Sequence, residues 1–246
     1  MVVAHLYPDY LNIYADRGNL AVLAVRARRR GIDLDIRAIG LGQDTPADAD
    51  LFYIGGGQDR EQGLVAPDLA ARTNALAEAV AAGAVVLAVC GGYQLLGRFY
   101  RDRSGVEQPG AGVLPLHTVA GERRLIGDVL IECELEPGER RTVAGFENHA
   151  GRTILDDGAQ PLGRVLAGFG NDGASGFEGC RFGNAVGTYL HGPLLPRNPW
   201  LADWLLTRAV GHRTGEVPVF EELPDALERD AHAVSAARAH ARGGRF

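Results

Sequence analysis

Residues 84–94 read AVVLAVCGGYQ, an apolar run that ends at a cysteine and is followed by two glycines. The run before Cys90 is rich in β-branched side chains, as expected of a central parallel strand buried on both faces. Ala88 and Gly92, two positions to either side of the cysteine, are small enough for a tight turn to close without a Cβ clash. The segment therefore predicts a strand that breaks into a helix at Cys90, which would present this side chain at the carboxyl edge of a sheet.

The helix predicted after Cys90 would direct its unpaired N–H groups at the sulfur and so favour the thiolate. The alternative is a buried core thiol, the usual fate of a free cysteine. Cys133 and Cys180 fit that alternative, because neither has such a setting. Three cysteines without a C-x-x-C pair predict no disulfide framework and no metal site, and we expect all three to be reduced.

Length and composition limit the classes of protein that the chain can belong to. Its 246 residues can bury the core of one α/β domain, with or without a tail, and a net charge of −6 gives no support to a nucleic-acid partner. The chain contains no lysine, so it has no P-loop, and any ATP chemistry is expected elsewhere. No apolar window is long enough to span a membrane and no signal peptide is evident, so we expect a cytoplasmic protein.

Strands and helices alternate along the first half of the chain. Strands are predicted at residues 2–7, 34–39, 51–54 and 84–89, with one helix capped by residues 16–19 and ended by Gly31, and another running from Pro67 to Ala82. Such alternation with short connections indicates an α/β fold with a doubly wound, mostly parallel sheet flanked by helices. Functional side chains should then lie at the carboxyl ends of the strands.

The second half of the chain has a different texture. Residues 113–165 predict short strands and turns, with residues 137–138 as a hairpin-like turn, and a further strand and a helix follow at residues 186–190 and 199–210. We therefore expect one domain over residues 1–211. Residues 212–246 are sparse in apolar positions and predict either a docking helix or a loosely held tail.

His191 is the histidine placed at the carboxyl end of a predicted strand, between Leu190 and Gly192. A cysteine and a histidine that are distant in sequence but close in the fold are the nucleophile and general base of acyl transfer. His149, within the segment GFENHAG at residues 145–151, is intermediate and either lines this site or buttresses it.

These motifs carry a family resemblance. Residues 89–94 (VCGGYQ) and 187–192 (GTYLHG) resemble class I glutamine amidotransferase domains of the cobyric acid synthase type, which have a flavodoxin-like fold. Residues 7–19, 55–59 (GGGQD) and 145–151 narrow the resemblance to the glutaminase-subunit family of lipid II isoglutaminyl synthase. The similarity extends over roughly residues 2–208, and its separated motifs occur in the same order.

The resemblance implies one half of a two-part enzyme. Such a subunit hydrolyses L-glutamine to glutamate and ammonia, and a MurT-like Mur ligase subunit, joined to it as a heterodimer, receives the ammonia. The partner would use ATP and Mg²⁺ to amidate the D-glutamate of lipid II in peptidoglycan synthesis, so no cofactor is expected in this chain. The cobalamin-pathway relatives carry an ATP-binding domain ahead of the glutaminase, whereas here the glutaminase motifs begin at the first residues.

The same resemblance implies roles for individual residues. Cys90 would attack the side-chain amide of glutamine and His191 would act as general base. The backbone N–H groups of Gly91 and of Gly56, or of Gly57 as the next choice, would bind the oxyanion, although the glycine loop alone is equally typical of an ordinary turn.

Recognition of the glutamine α-carboxylate is implied for Arg124, since a guanidinium binds carboxylates bidentately. The adjacent Arg123 could exchange roles with it, and a solvated surface arginine is the alternative. Many class I amidotransferases have a glutamate where this chain has Pro193. We therefore expect the acid that orients the histidine to come from elsewhere in the chain or from the partner, and the isolated chain to be a weak glutaminase.

Three other functions remain open from the sequence. A glutaminase subunit for cobyrinate-type amidation would share the same motifs, and a stand-alone hydrolase would use the same cysteine and histidine without a partner. A binding module without catalysis would need neither residue.

Overall fold

The computed structural model describes residues 1–13 and 17–242, which form two β-sheets with helices packed on them. The strands are β1 (Val2–Leu6), β2 (Asp35–Ile39), β3 (Leu51–Ile54), β4 (Val85–Val89), β5 (Phe99–Arg101), β6 (Glu107–Pro109), β7 (Leu116–Glu136), β8 (Glu139–Leu155), β9 (Gly163–Ala167), β10 (Phe177–Glu178), β11 (Cys180–Phe182) and β12 (Ala185–Thr188). The helices are α1 (Arg17–Arg29), α2 (Asp59–Ala71), α3 (Thr73–Ala81), α4 (Gly91–Leu95), α5 (Pro199–Thr214) and α6 (Ala226–Arg242). The cap predicted at Asp16 lies outside the described residues.

The first sheet confirms the predicted α/β fold. Its strand order is β11-β12-β4-β3-β1-β2, and every pair is parallel except β11 with β12. Strands β1 and β4 are buried along their whole length, because helices cover both faces of the sheet. Strand β1 lies between β2 and β3, so the chain runs to one side of β1 to form β2 and then crosses to its other side to form β3. This reversal creates a switch point at the carboxyl edge of the sheet.

The helix predicted to begin at Pro67 is wrong in its start and its continuity. Helix α2 begins eight residues earlier, at Asp59, and contains Pro67, while α3 starts after a break at Arg72. Acidic side chains in the first turn favour the earlier start, and a proline in a helix interior removes one hydrogen bond without preventing the helix. The break is held by the Arg72 guanidinium, which donates to Tyr7 Oη and to the Asp68 carboxylate, both at 2.8 Å.

The short strands predicted for residues 113–165 are instead one long antiparallel hairpin. Strands β7 and β8 pair from Leu116 to Glu136, and the predicted turn at residues 137–138 joins them. With β5, β6, β9 and β10 they form the second sheet. The polar run at residues 121–124 interrupts the alternating pattern because it forms a bulge, where β7 uses three more residues than β8 between its paired positions.

The C-terminal part of the described chain packs on both sheets. The domain boundary predicted after residue 211 falls inside α5, and the last turn of this helix is tied to β3 by Arg213 and His212, which contact the buried carboxylate of Asp50. Helix α6 lies across β7 and a short 3-10 helix (Leu195–Arg197). No helix of residues 1–13 and 17–242 has the length and apolar character needed to cross a bilayer.

Candidate active site

Cys90 occupies a sharp turn between β4 and α4. Its backbone has φ 50° and ψ −106°, a conformation that side-chain-bearing residues rarely adopt, and its N–H donates to Thr188 O on the adjacent strand at 2.8 Å. Glycine is required two residues later, since a Cβ on Gly92 would lie 2.5 Å from Ile54 Cγ2 and 2.8 Å from Gly55 O. The local sequence therefore forces the predicted strand-to-helix turn and places the sulfur at the sheet edge.

His191 leaves the same edge of the same sheet. Strands β12 and β4 are parallel neighbours with Thr188 opposite Val89, so Cys90 and His191 both follow adjacent strands. Two backbone hydrogen bonds with Phe146 fix the His191 segment, one in each direction, at 2.9 and 3.2 Å. The ring of Phe146 meets the imidazole edge-on, with centroids 5.7 Å apart.

The electrostatic setting keeps the His191 imidazole neutral. Its side chain is fully buried, and burial lowers the pKa of His191 to about 4, with further lowering from His149, Arg124 and Arg197. A neutral imidazole at pH 7 can accept a proton from a thiol. The imidazole is therefore in the protonation state that a general base needs, although a pKa of about 4 makes it a weaker base than an exposed histidine.

A cavity of about 600 Å³ opens beside Cys90. It is walled by Cys90 from the first sheet and by side chains from the second sheet and α2. Its lining includes Gly57, Gln62, Cys90, Gln94, Arg124 and His149. The sequence-predicted residues Cys90 and Arg124 thus share one cavity, whereas His191, Gly56 and Gly91 are buried and are not among the residues that line it.

The glycine loop after β3 lies directly against the turn at Cys90. A Cβ built on Gly91 would lie 2.9 Å from the backbone nitrogen of Gly57, and Gly92 N donates to Gly55 O at 3.1 Å. Gly57 lines the cavity, while the Gly56 carbonyl accepts from Ile13 N at 3.2 Å. The glycine loop and the turn at Cys90 therefore lie side by side, as two segments that bind one oxyanion must.

Arg124 lies at the end of the bulge in β7. Its Nε donates to Asn148 Oδ1 at 2.8 Å and one Nη donates to Asn148 O at 2.7 Å, which leaves further N–H groups of the guanidinium for a ligand. Arg123 does not line the cavity, and its carbonyl accepts from Arg152. Of the two neighbouring arginines, Arg124 is the one that faces the same space as Cys90.

Helix α4 and the strand that leads to His191 are joined beneath the cavity. Gln94 Nε2 donates to Tyr189 Oη at 3.1 Å, and the same hydroxyl lies 2.6 Å from Thr153 Oγ1. The His149 ring stacks on Tyr189 with centroids 3.5 Å apart, and its Nε2 lies 3.5 Å from the buried carboxylate of Glu147. His149 therefore both lines the cavity and supports its floor.

Gln62 and Gln94 were missed by sequence reasoning. The predicted helix began at Pro67 and therefore did not include Gln62, which lies in α2 because this helix starts at Asp59. Gln94 is marked in the sequence only by its position one turn after Cys90. Within the described residues, no group of three or more His, Cys, Asp or Glu side chains is placed to hold a metal ion. Cys133 and Cys180 are buried in the core, as predicted, and burial raises the pKa of Cys180 to about 12.

Comparison with known proteins finds similarity to the same family that the sequence motifs resemble. The CobB/CobQ-like glutamine amidotransferase domain matches residues 2–199. The chain is 41% identical over 210 residues to subunit GatD of the glutamine-hydrolysing lipid II isoglutaminyl synthase of Staphylococcus aureus, covering 85% of this chain and 84% of the relative. It is 38% identical over 226 residues to GatD of Streptococcus pneumoniae, covering 90% and 86%.

A solved structure shares the fold. The glutaminase domain of Trypanosoma brucei CTPS with bound acivicin matches with a TM-score of 0.55 at 12% identity, covering 90% of this chain and 96% of that one. The match to the family domain and the identity with the two GatD subunits confirm the family resemblance predicted from the sequence motifs. The chain belongs to the CobB/CobQ-like glutamine amidotransferase family and is a glutamine-hydrolysing amidotransferase.

Proposed function

We propose that this chain is the glutaminase subunit of a lipid II isoglutaminyl synthase. The observation that carries the proposal is the 41% identity with GatD along 85% of the chain. The subunit would release ammonia from L-glutamine, and a MurT-like ligase subunit, bound as a heterodimer, would use it to amidate the D-glutamate of lipid II. ATP and Mg²⁺ would be bound by that partner, because this chain has no lysine and hence no P-loop.

The proposed chemistry begins at Cys90. Its sulfur attacks the amide carbon of glutamine while His191 takes the thiol proton, and the N–H groups of Gly91 and of Gly56 or Gly57 stabilise the oxyanion. The C–N bond then breaks, His191 returns the proton to the leaving nitrogen, and ammonia departs. Water attacks the thioester while His191 takes one of its protons, the C–S bond breaks to release glutamate, and His191 returns that proton to the sulfur to regenerate the thiol.

Arg124 would bind the α-carboxylate of glutamine at the far side of the cavity. Its guanidinium is already oriented by Asn148, so little side-chain freedom remains to be lost on binding. An acid is also needed to orient the His191 imidazole. Pro193 packs against the first turn of α1 at Gly18, so an orienting acid would come from another part of the chain or from the partner.

The test is a glutaminase and amidation assay on the wild-type chain and Cys90→Ala, each with and without a MurT-like partner. We expect weak glutamate release from the isolated chain, stimulation by the partner, and amidated lipid II only with both subunits, ATP and glutamine. Cys90→Ala should abolish glutamate release but leave amidation supported by added ammonium salt. Full glutaminase activity of the chain alone, with no amidation in the complex, would instead indicate a stand-alone hydrolase.

A further inference from the structure

Gln62 is a buried amide at the wall of the cavity that the proposed chemistry does not use. Gln62 lies in the first turns of α2 and is only 4% exposed. Its backbone N–H donates to Gln58 O at 2.9 Å. Its side chain therefore projects from a regular helix and lines the cavity together with Gly57 of the glycine loop and Cys90.

The contacts of the Gln62 amide join both halves of the proposed oxyanion site. Its Nε2 donates to Gly57 O at 3.1 Å. The same Nε2 lies 2.8 Å, and the amide carbon 3.0 Å, from the position that a Cβ on Gly91 would take, while Gly57 N lies 2.9 Å from that position. The amide thus fills the volume that the missing Cβ of Gly91 leaves open.

Gly57 needs such a restraint. Because glycine lacks a Cβ, rotation about its backbone bonds is opposed less than at any other residue. Such rotation at Gly57 would move the glycine loop away from the position in which its N–H groups can bind an oxyanion. Replacing Gly57 by a residue with a stiffer backbone is sterically excluded, since a Cβ there would lie 2.3 Å from Leu11 Cδ2. A hydrogen bond to its carbonyl is the remaining way to fix it.

We infer that Gln62 is a positioning residue that fixes the Gly57 backbone through its carbonyl and so keeps the glycine loop in place beside Gly91. The inference rests on the proposed glutaminase function and assigns a further residue to it. Gln62 acts on the transition state through the loop, so its loss should lower kcat while leaving glutamine binding nearly unchanged.

Two variants separate the hydrogen bond from simple space filling. Gln62→Met keeps the length of the side chain but removes the donor, and we expect kcat in the complex with the partner to fall on the order of 100-fold. The dissociation constant of glutamine, measured on the Cys90→Ser background, and the rate of Cys90 alkylation by iodoacetamide should stay within about twofold, because neither requires an oxyanion.

The second variant, Gln62→Glu, has a pH signature of its own. An ionised carboxylate facing Gly57 O repels it, whereas a protonated carboxyl can donate as the amide does. The activity of Gln62→Glu relative to wild type should therefore rise on the order of tenfold as the pH falls from about 8 to about 5.5.

The outcomes distinguish this inference from the proposed function. Wild-type kcat in Gln62→Met, or a relative activity of Gln62→Glu that does not change with pH, would overturn the role of Gln62 while leaving the glutaminase intact. A wild-type complex that releases no glutamate from glutamine would overturn both.

Discussion

Glu178 offers a quantitative test of the structure beneath the site. Its carboxylate is fully buried and accepts from Tyr189 N at 2.7 Å and from Thr188 Oγ1 at 2.9 Å, at the end of the strand that leads to His191. Burial raises the pKa of Glu178 from 4.5 to about 8, with a further contribution from the nearby Glu147 carboxylate. The folded chain therefore keeps a proton on Glu178 at neutral pH that the unfolded chain releases.

The sign and size of the effect follow from this difference in pKa. Below pH 4.5 both states hold the proton, and the stabilisation is lost as the pH rises through the folded-state pKa of about 8. Each pH unit between these values lowers the free energy of unfolding by roughly 1.4 kcal/mol. Between pH 6.5 and 8 the loss should be about 2 kcal/mol for the wild type and absent in Glu178→Gln.

The chosen pH window avoids the main competing titrations. Burial lowers the pKa of His5 and of His191 to about 4, so the unfolded chain takes up extra protons at these residues only below about pH 6.5, and their stabilising contribution falls as the pH drops further. They act alike in wild type and variant and cancel in the comparison. Denaturant unfolding at pH 6.5 and 8, with proton release on unfolding near pH 7, measures the effect.

The control is Glu139→Gln, which removes an exposed carboxylate of the hairpin and should leave the pH dependence of unfolding like that of the wild type. Parallel curves for wild type and Glu178→Gln, with equal proton release, would refute a protonated Glu178 in the folded chain. The reasoning about burial at the base of the His191 strand would then be wrong.

Three further predictions concern the site and the strand that leads to it. Arg124→Ala should raise KM for glutamine on the order of 10- to 100-fold, whereas Arg123→Ala, its matched control, should change KM by less than about threefold; equal effects in steady-state kinetics would contradict the assignment. Gly187→Ala should lower the free energy of unfolding by about 1–3 kcal/mol, since its Cβ would lie 2.1 Å from the ring of Tyr93, and an unchanged melting temperature would contradict that packing. Because burial keeps the pKa of His191 at about 4, kcat/KM should remain near its neutral value down to about pH 5.5, and an acid limb centred near 6.5 would show that His191 is more solvated than the structure has it.

Local sequence was sufficient to predict the five parallel strands of the first sheet and the turn at Cys90, but not its antiparallel edge strand β11. Short stretches of sequence identify a buried β-branched strand, the small residues around Cys90 and a histidine that follows a later strand. Parallel pairing of the two strands then brings their carboxyl ends together. The prediction that Cys90 and His191 follow strands of one sheet thus rests on hydrophobic periodicity and on sheet topology.

The second sheet and the amide network could not be predicted in the same way. The bulge at residues 121–124 resembles the end of a strand, because its polar side chains interrupt the alternation although pairing resumes at Leu125. Because proline is typical of the first turn of a helix, the predicted helix began at Pro67 and not at Asp59. Gln62 was therefore not recognised as a helical residue that faces the site. In the hairpin, strand pairing outweighed the local pattern, whereas in α2 the acidic first turn outweighed the preference of proline for the start of a helix.

The placement of Cys90 and Arg124 on different sheets has a consequence for substrate choice. Cys90 is carried by the parallel sheet and Arg124 by a three-residue excursion of the hairpin, so the span between them is set by how the two layers pack. In the proposed mechanism that span acts as a ruler for the carbon chain between an amide and an α-carboxylate. We expect asparagine, which is one methylene shorter, to be a poorer substrate than glutamine, and a longer or shorter bulge at residues 121–124 to change this preference without altering Cys90.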